Sequence, residues 1–244
     1  MTDRTETILF HGMTSLPQGY RALVIGASGG IGSALVELLR ADSNCGDVKT
    51  LARGFDGFDL TNENSIAEAA ARLSSDGDTF DLVFVATGGL TLFGKGPEKS
   101  LRAISPEAMA MQFAVNAIGP ALTLKHFAPL LPRGRRCLFA ALSARVGSIE
   151  DNRLGGWISY RSAKAALNQI VRTAAIEIQR TAPQSVVVAL HPGTVATRLT
   201  AAYAGGHETV PPHVSAGQLL TVLDGLSPAE SGRFFAYDGT TVPW

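Results

Sequence analysis

Sulfur, aromatic rings and surplus charge are all scarce in this chain. Its 244 residues hold two cysteines, Cys45 and Cys137, far apart in sequence. No disulfide framework and no cysteine-based metal site can be built from them, and a reducing compartment is the default expectation. Lys plus Arg and Asp plus Glu both total 21, a formal net charge of zero, which excludes electrostatic capture of nucleic acid or of an anionic membrane. The five histidines, at 11, 126, 191, 207 and 213, show no metal-ligand spacing with each other or with carboxylates, so no catalytic metal is expected. His191 reads as structural. No apolar run approaches the roughly 20 residues that span a bilayer. The opening Met1–Thr7 is polar and lacks the apolar stretch of a signal peptide. A soluble, cytoplasmic protein is expected.

What the chain has in quantity is apolar residues, at 45%, enough for one domain of the larger α/β kind. Strand-like runs fall at Ala22–Ile25, Val48–Leu51, Leu82–Ala86, Arg136–Leu142, Val186–Leu190 and Phe234–Tyr237. Helical spacing falls between them, near Ile31–Arg40, Ser65–Leu73, Pro106–Leu131, Trp157–Arg180 and Ser215–Leu226. The alternation predicts a single α/β domain, a doubly wound Rossmann-type fold with a parallel sheet and helices on both faces, over residues 20–244. Residues 1–19 read as an N-terminal extension in which Ile8–Phe10 form a small strand or a cap. Cys137 lies in an apolar run and reads as a buried thiol. Two segments break the rhythm. Gly88–Ala103 holds four glycines and a proline, and His191–His213 holds Gly205-Gly206 and Pro211-Pro212. Both follow the carboxyl ends of strands, where ligands bind in open α/β sheets. The second reads as a mobile substrate lid or as a surface loop.

Between the first strand and helix the chain runs Gly26-Ala27-Ser28-Gly29-Gly30-Ile31-Gly32. A strand, a glycine turn and a helix together aim free backbone N–H groups at an anion, and glycine lets a pyrophosphate come close. The spacing Gly26-x-x-x-Gly30-x-Gly32 is neither G-x-G-x-x-G nor a P-loop. The alternative is a tight turn without ligand. Far downstream, Tyr160 and Lys164 stand four apart in a helical segment, one above the other on one face. An ammonium beside a phenol favours the phenolate and predicts a lowered phenol pKa. Such a phenol can pass a proton to or from an alcohol or carbonyl oxygen.

Together these segments resemble the short-chain dehydrogenase/reductase family over nearly the whole chain. Ala86-Thr87-Gly88-Gly89 stands where the family carries Asn-Asn-Ala-Gly, a departure that keeps only small residues and a glycine. Asn116 matches the family's mid-helix asparagine, Ser143 its active-site serine, and His191-Pro192-Gly193-Thr194-Val195-Ala196-Thr197 its Pro-Gly segment. Val146–Asn152, Gly155-Gly156-Trp157, Pro97-Glu98-Lys99-Ser100 and the terminal Asp238–Trp244 resemble the C-factor-like branch, which is linked to cell–cell signalling and to carbonyl reduction.

The resemblance implies an oxidoreductase that interconverts a carbonyl and an alcohol by hydride transfer. Asn116, Ser143, Tyr160 and Lys164 would be its catalytic set, with Asn116 holding a water that links to the lysine, and with Ser148 a lesser candidate for the serine role. Gly26, Ser28, Gly29, Gly30, Ile31, Gly32, Ala86, Thr87, Gly88, Pro192, Gly193, Val195 and Thr197 would line the cofactor site, joined by Tyr160 and Lys164. Arg53 follows the second strand where an NAD enzyme of this fold places an acid, so a 2′-phosphate and NADP(H) are favoured over NAD(H). A solvated arginine is the alternative, and the glycine loop lacks the second basic residue of many NADP enzymes of the family. Asp59 and Leu60 resemble the family's adenine-contacting pair, although Asp59 would equally cap the next helix. The substrate would be a small carbonyl or alcohol. A homodimer or homotetramer through the helices near Pro106–Leu131 and Trp157–Arg180 is implied, with Ala165, Ala166, Ala174 and Ala175 allowing close contact. A non-catalytic NADP(H)-binding regulator and a C-factor-like signalling protein remain as alternatives.

Overall fold

Strands β3 (Leu82–Val85) and β4 (Cys137–Leu142) contain no exposed residue, as expected of strands covered on both faces. The computed structural model describes residues 10–75, 77–203 and 208–244. With β1 (Tyr20–Ile25), β2 (Cys45–Leu51), β5 (Ser185–His191) and β6 (Phe234–Ala236) they form one six-stranded sheet in the order β2-β1-β3-β4-β5-β6. Every pairing is parallel. From β1 the chain winds outward to β2, then returns to β3 on the other side. The switch point therefore lies between β1 and β3, where open α/β sheets open a ligand crevice.

Helices α1 (Gly30–Ala41) and α7 (Pro212–Gly225) cover one face, where Leu35, Leu39, Leu219 and Leu223 pack on Val24, Phe84 and Leu138. Helices α3 (Glu63–Ser75), α5 (Gly119–Phe127) and α6 (Ile158–Gln179) cover the other, where Ile66, Phe127, Leu167 and Val171 pack on Ile25, Val83 and Phe139. The sorting of alternate strand residues to opposite faces is the period-2 pattern of a strand. Met13 and Leu16 join the α1–α7 cluster. Asp224 accepts from the Thr14 and Ser15 N–H groups and Asp42 from that of Met13, which ties this segment down. Ile8 and Leu9, offered above as a strand or cap, and Gly205, Gly206 and His207 of the suggested lid lie outside the described residues.

Two of the differences from the sequence reading have a clear physical cause. Strand β2 begins at Cys45 rather than Val48, because Cys45 and Asp47 pair with Tyr20 and Arg21 of β1, while Gly46 between them forms a bulge. The single helix expected over Pro106–Leu131 is instead α4 (Pro106–Phe113), a π-helical turn at Ala114–Ile118, α5, and a 3₁₀ turn at Ala128–Leu130. Pro120 explains the widened turn. It has no N–H to give the Asn116 carbonyl, and its ring would clash with that carbonyl in a regular helix. A short helix, α2 (Arg53–Asp56), also follows β2 and escaped the sequence reading.

Candidate active site

The glycine segment after β1 adopts the turn its sequence predicts. Gly26 has φ +92°, and a Cβ there would lie 2.8 Å from the Ala86 carbonyl oxygen. Gly32 is tighter still, since its Cβ would overlap the Gly26 carbonyl. Ser28, Gly29 and Gly30 are exposed, and Gly29 caps α1 without any side-chain hydrogen bond to the first turn. The N–H groups of Gly30, Ile31 and Gly32 thus begin a helix with the donors and dipole that attract phosphate. Across the crevice, Thr197 approaches so closely that a Cβ on Gly30 would meet its methyl at 2.8 Å. Thr87, after β3, keeps a buried hydroxyl oxygen without a partner among the described residues. A pyrophosphate-bearing dinucleotide fits these residues, since both the cradle and the uncapped donors are in place.

Four catalytic candidates converge beside it. Asn116, fully buried, projects from the π-helical turn, and its amide exchanges bonds with Gly89: Nδ2 donates to O at 2.8 Å, and Oδ1 accepts from N at 3.1 Å. Lys164 donates from Nζ to the Leu142 carbonyl at 2.9 Å. A Cβ on Gly88 would lie 3.3 Å from Asn116 Oδ1 and 3.5 Å from Lys164 Nζ, so the glycine-rich segment after β3 threads between the two side chains. Ser143 directly follows β4, and its N–H pairs with Leu190 of β5. Tyr160 sits in the first turn of α6, with Lys164 Nζ 5.9 Å from its ring centroid. Leu167 and Val171 are fully buried and seat this helix. Replacing either leucine or valine anchor by alanine costs about 2–4 kcal/mol and loosens the carrier of the pair.

The expected lowering of the phenol is corrected. Tyr160 is 7% exposed and Lys164 2%. Burial pushes the phenol above its ordinary value and brings the Lys164 ammonium down to about 7. Spacing along a helix brings the groups together, but desolvation disfavours both charges and outweighs their mutual attraction here. The protein by itself therefore holds a neutral, proton-bearing phenol at neutral pH.

Other predicted positions fall as follows. Arg53 opens α2 with its side chain exposed, and Gly54 lies near Ser28 across the gap. Asp59 does not cap α3. Its Oδ1 accepts from the Thr61 N–H and hydroxyl, and Asn62 caps the helix by accepting from the Asn64 N–H. Leu60 is buried against Gly119, where a Cβ would meet Leu60 at 2.5 Å. Ala86 and Gly88 border the crevice. The Pro192 carbonyl accepts from Ser215, Gly193 has φ +76° against the Tyr237 ring, and Val195 is buried and bridges to Val210. Ser148 donates to the Trp244 carbonyl and accepts from the Asp151 N–H, which makes it a loop fastener. His191 is held neutral by burial, with its pKa pushed down to about 4. Among the described residues no cluster of His, Cys, Asp and Glu suits a metal ion, and no helix is long and apolar enough to cross a membrane.

Three supporting residues were missed. Asn168 accepts the Ser143 hydroxyl proton at 2.6 Å. Gln112 accepts from Asn116 at 2.7 Å and donates to the Leu90 carbonyl at 2.9 Å. Glu98, buried, receives the Ser159 N–H and hydroxyl at the start of α6. The first two carried a readable signal, since Tyr160, Lys164 and Asn168, and likewise Gln112 and Asn116, recur at four-residue spacing.

Comparison with known proteins agrees with this geometry. A family model described as enoyl-(acyl carrier protein) reductase matches residues 30–225. The chain is 35% identical to a 1-hydroxy-2-glutathionyl-2-methyl-3-butene dehydrogenase of Rhodococcus sp. (strain AD45), over 77% of this chain and 79% of that one. It is 41% identical to the C-signal protein of Myxococcus xanthus, over 56% of this chain and 78% of that one. Its fold is similar to an NADPH-bound carbonyl reductase from chicken fatty liver, with a TM-score of 0.81 and 26% identity over 97% and 98% of the two chains. The parallel sheet, the glycine turn, the Ser-Tyr-Lys-Asn constellation and these relatives agree: the chain belongs to the short-chain dehydrogenase/reductase family.

Proposed function

We propose that this protein is an NADP(H)-dependent oxidoreductase that interconverts a carbonyl and an alcohol, with Tyr160 as general acid and base. The observation that carries the reading is the convergence of Asn116, Ser143, Tyr160 and Lys164 beside the uncapped first turn of α1. The Gly26–Gly32 turn would hold the pyrophosphate, and Arg53 a ribose 2′-phosphate. Asp59 and Leu60 would border the adenine. Ala86, Thr87, Gly88, Pro192, Gly193, Val195 and Thr197 would line the remainder, and Lys164 would take the nicotinamide ribose. When bound, the nicotinamide supplies or accepts the hydride.

The chain's own residues manage the proton. Tyr160, kept protonated by burial, gives its proton to the substrate oxygen as that oxygen gains charge, which suits carbonyl reduction. Ser143 offers its hydroxyl to the same oxygen. Lys164, with Asn116 on the other side of Gly88, would return a proton to Tyr160.

NADPH and NADH oxidation over a panel of aldehydes, ketones and quinones, with Tyr160→Phe alongside, tests the reading. NADPH-dependent turnover that vanishes in a variant still binding NADPH is expected. Undiminished turnover in Tyr160→Phe would overturn the assignment. The C-signal likeness favours a second reading, a signalling role on the same fold, in which Tyr160→Phe leaves signalling intact.

We also propose a homodimer through the outer faces of α5 and α6. Between them runs a groove of about 640 Å³ lined by Ala121, Leu124, Ala128, Ile170, Ala174 and Ile178. Ala175, expected at this contact, faces the sheet instead and is 1% exposed. Light scattering at monomer mass would remove this part.

A further inference from the structure

Three loops meet beside the Tyr160 phenol, and each brings a side chain to which the proton and hydride chemistry assigns no task. The segment after β3 brings Thr91, the approach to α6 brings Trp157, and the segment after β5 brings Tyr203. The Trp157 ring packs edge-on against Tyr160 at 6.4 Å between centroids and against Tyr203 at 5.6 Å. The Tyr203 and Thr91 hydroxyl oxygens lie 2.5 Å apart. An aromatic row thus runs from the catalytic phenol across the crevice, with its far end tied to the opposite loop.

Trp157 occupies an unfavourable backbone conformation, with φ +52° and ψ +38°. A side chain with a Cβ is disfavoured in this left-handed region. Gly155 and Gly156, at φ +66° and +67°, meet the same turn without strain. The conformation at 157 is enforced from both sides: its N–H donates to the Glu98 carbonyl at 2.5 Å, and its carbonyl accepts from the Arg161 N–H at 2.8 Å. A glycine would make both bonds at lower cost. A tryptophan held there against its preference is explained by what the indole does beside Tyr160. The three loops also expose apolar side chains. Phe93, Leu154 and Leu199, one on each of the three loops, are large exposed apolar side chains, as at a binding mouth for an apolar ligand. The Thr91 and Tyr203 hydroxyls are engaged with each other, which leaves little in the row for a hydroxyl-rich substrate.

We propose that Trp157 and Tyr203 form the substrate-recognition wall of this site, and that it takes carbonyl compounds bearing a flat aromatic group next to the reacting carbon. Aromatic groups stack edge-on or offset on such a wall, whereas a saturated ring of equal size gains only burial. The inference rests on the oxidoreductase reading, so its test separates the two.

The probes are acetophenone and cyclohexyl methyl ketone, matched in carbon count and different in flatness. With NADPH saturating, the unmodified protein should favour acetophenone in kcat/KM. Trp157→Ala should erase most of that preference, with a loss of about fivefold or more on the aryl ketone, expressed in KM and with NADPH affinity unchanged. Trp157→Phe should restore part of it. Tyr203→Phe, which keeps the ring but frees it from Thr91, should give a smaller rise in the same KM. Equal losses on both ketones would mean that Trp157 only holds Tyr160 in place, and would overturn the wall. Should no ketone turn over, binding to the NADPH complex decides, read by quenching of tryptophan fluorescence against Trp157→Ala, which retains Trp244. Selective binding of acetophenone then keeps the wall while the oxidoreductase reading falls, and equal or absent binding removes the wall.

Discussion

The Asn168 amide oxygen takes the Ser143 hydroxyl proton at 2.6 Å, and the direction of that bond is fixed by the other end of the amide. Asn168 Nδ2 faces the Gly147 carbonyl at 3.3 Å, which can only accept, so Oδ1 must face Ser143. The serine hydroxyl has one proton. In the free protein that proton points into α6, and in the proposed role of Ser143 a substrate oxygen would have to win it from Asn168. The bond also fixes where the serine oxygen stands. Asn168→Ala should remove about 1–2 kcal/mol of stability and lower kcat/KM through KM rather than NADPH affinity. If the bond is the route, adding Ser143→Ala to Asn168→Ala changes kcat/KM far less than Ser143→Ala does alone. Additive losses in that double-mutant cycle would show the two residues acting separately.

Burial of Lys164 makes a pH-dependent stability signature. Its folded value of about 7 lies below its ordinary 10.5. Between those values the unfolded chain binds a proton that the folded protein does not, so stability rises with pH across that window. The penalty of burying the ammonium is fully present below pH 7 and is on the order of a few kcal/mol. The buried phenol and thiols act in the opposite sense only from about pH 9 upward, near their ordinary values. Urea midpoints at pH 7 and pH 8.5 should therefore rise for the unmodified protein and stay level for Lys164→Met. Parallel behaviour of the two proteins would refute the assignment.

How far the sequence went can be seen in these two residues. Four-residue spacing put Tyr160 and Lys164 on one helix face, and the uninterrupted apolar runs of β3 and β4 announced a sheet covered on both sides. Spacing carries no information about dielectric, however, and burial reversed the expected direction of the Tyr160 shift. Asn168 escaped because its partner, Ser143, lies just past a strand 25 positions away, and no local pattern names a tertiary partner. The π-helical turn escaped for a different reason. Gly119-Pro120 was visible, but whether a proline breaks a helix or widens it depends on whether the freed Asn116 turn has somewhere to go. Here its amide finds Gly89 and Gln112.

Glu98 lies 61 positions from Ser159 yet fixes the turn that presents Tyr160. Its carboxylate accepts from the Ser159 N–H and hydroxyl, while its backbone carbonyl accepts from Trp157. A negative group at this end of α6 also opposes the positive pole of the helix dipole. Glu98→Ala strands two buried donors, at about 1–3 kcal/mol for each unsatisfied group, and frees the first turn. Thermal unfolding should fall by several degrees, and kcat should drop with NADPH affinity retained. Glu98→Gln keeps an acceptor at the same reach and should recover most of both. If Glu98→Gln behaves like Glu98→Ala, the charge rather than the clamp is what matters.

The proposed preference for NADP(H) can be tested at Arg53. This arginine opens α2 near the end of β2 and is exposed, its neighbour Gly54 lies near Ser28 of the glycine turn, and the last residues of β2, Lys49, Thr50 and Leu51, include no acid. The Asp56 carboxylate of α2 is turned back onto the Ala52 and Phe58 N–H groups, whereas a 2′-phosphate would find in Arg53 a guanidinium able to bind it in two places. Charge-assisted bonds of that kind are worth about 1.5–3 kcal/mol. Arg53→Ala should thus weaken NADPH binding by about 10- to 100-fold and leave NADH binding within about twofold. Because the group is exposed, its contribution is screened by salt. Raising ionic strength should erode the NADPH preference of the unmodified protein and leave the variant's ratio flat. Fluorescence titration with both cofactors at two salt concentrations reads this directly. A matched loss for NADPH and NADH would mean that Arg53 supports the fold of α2 rather than the phosphate, and NADP(H) selectivity would then have to come from elsewhere in the crevice.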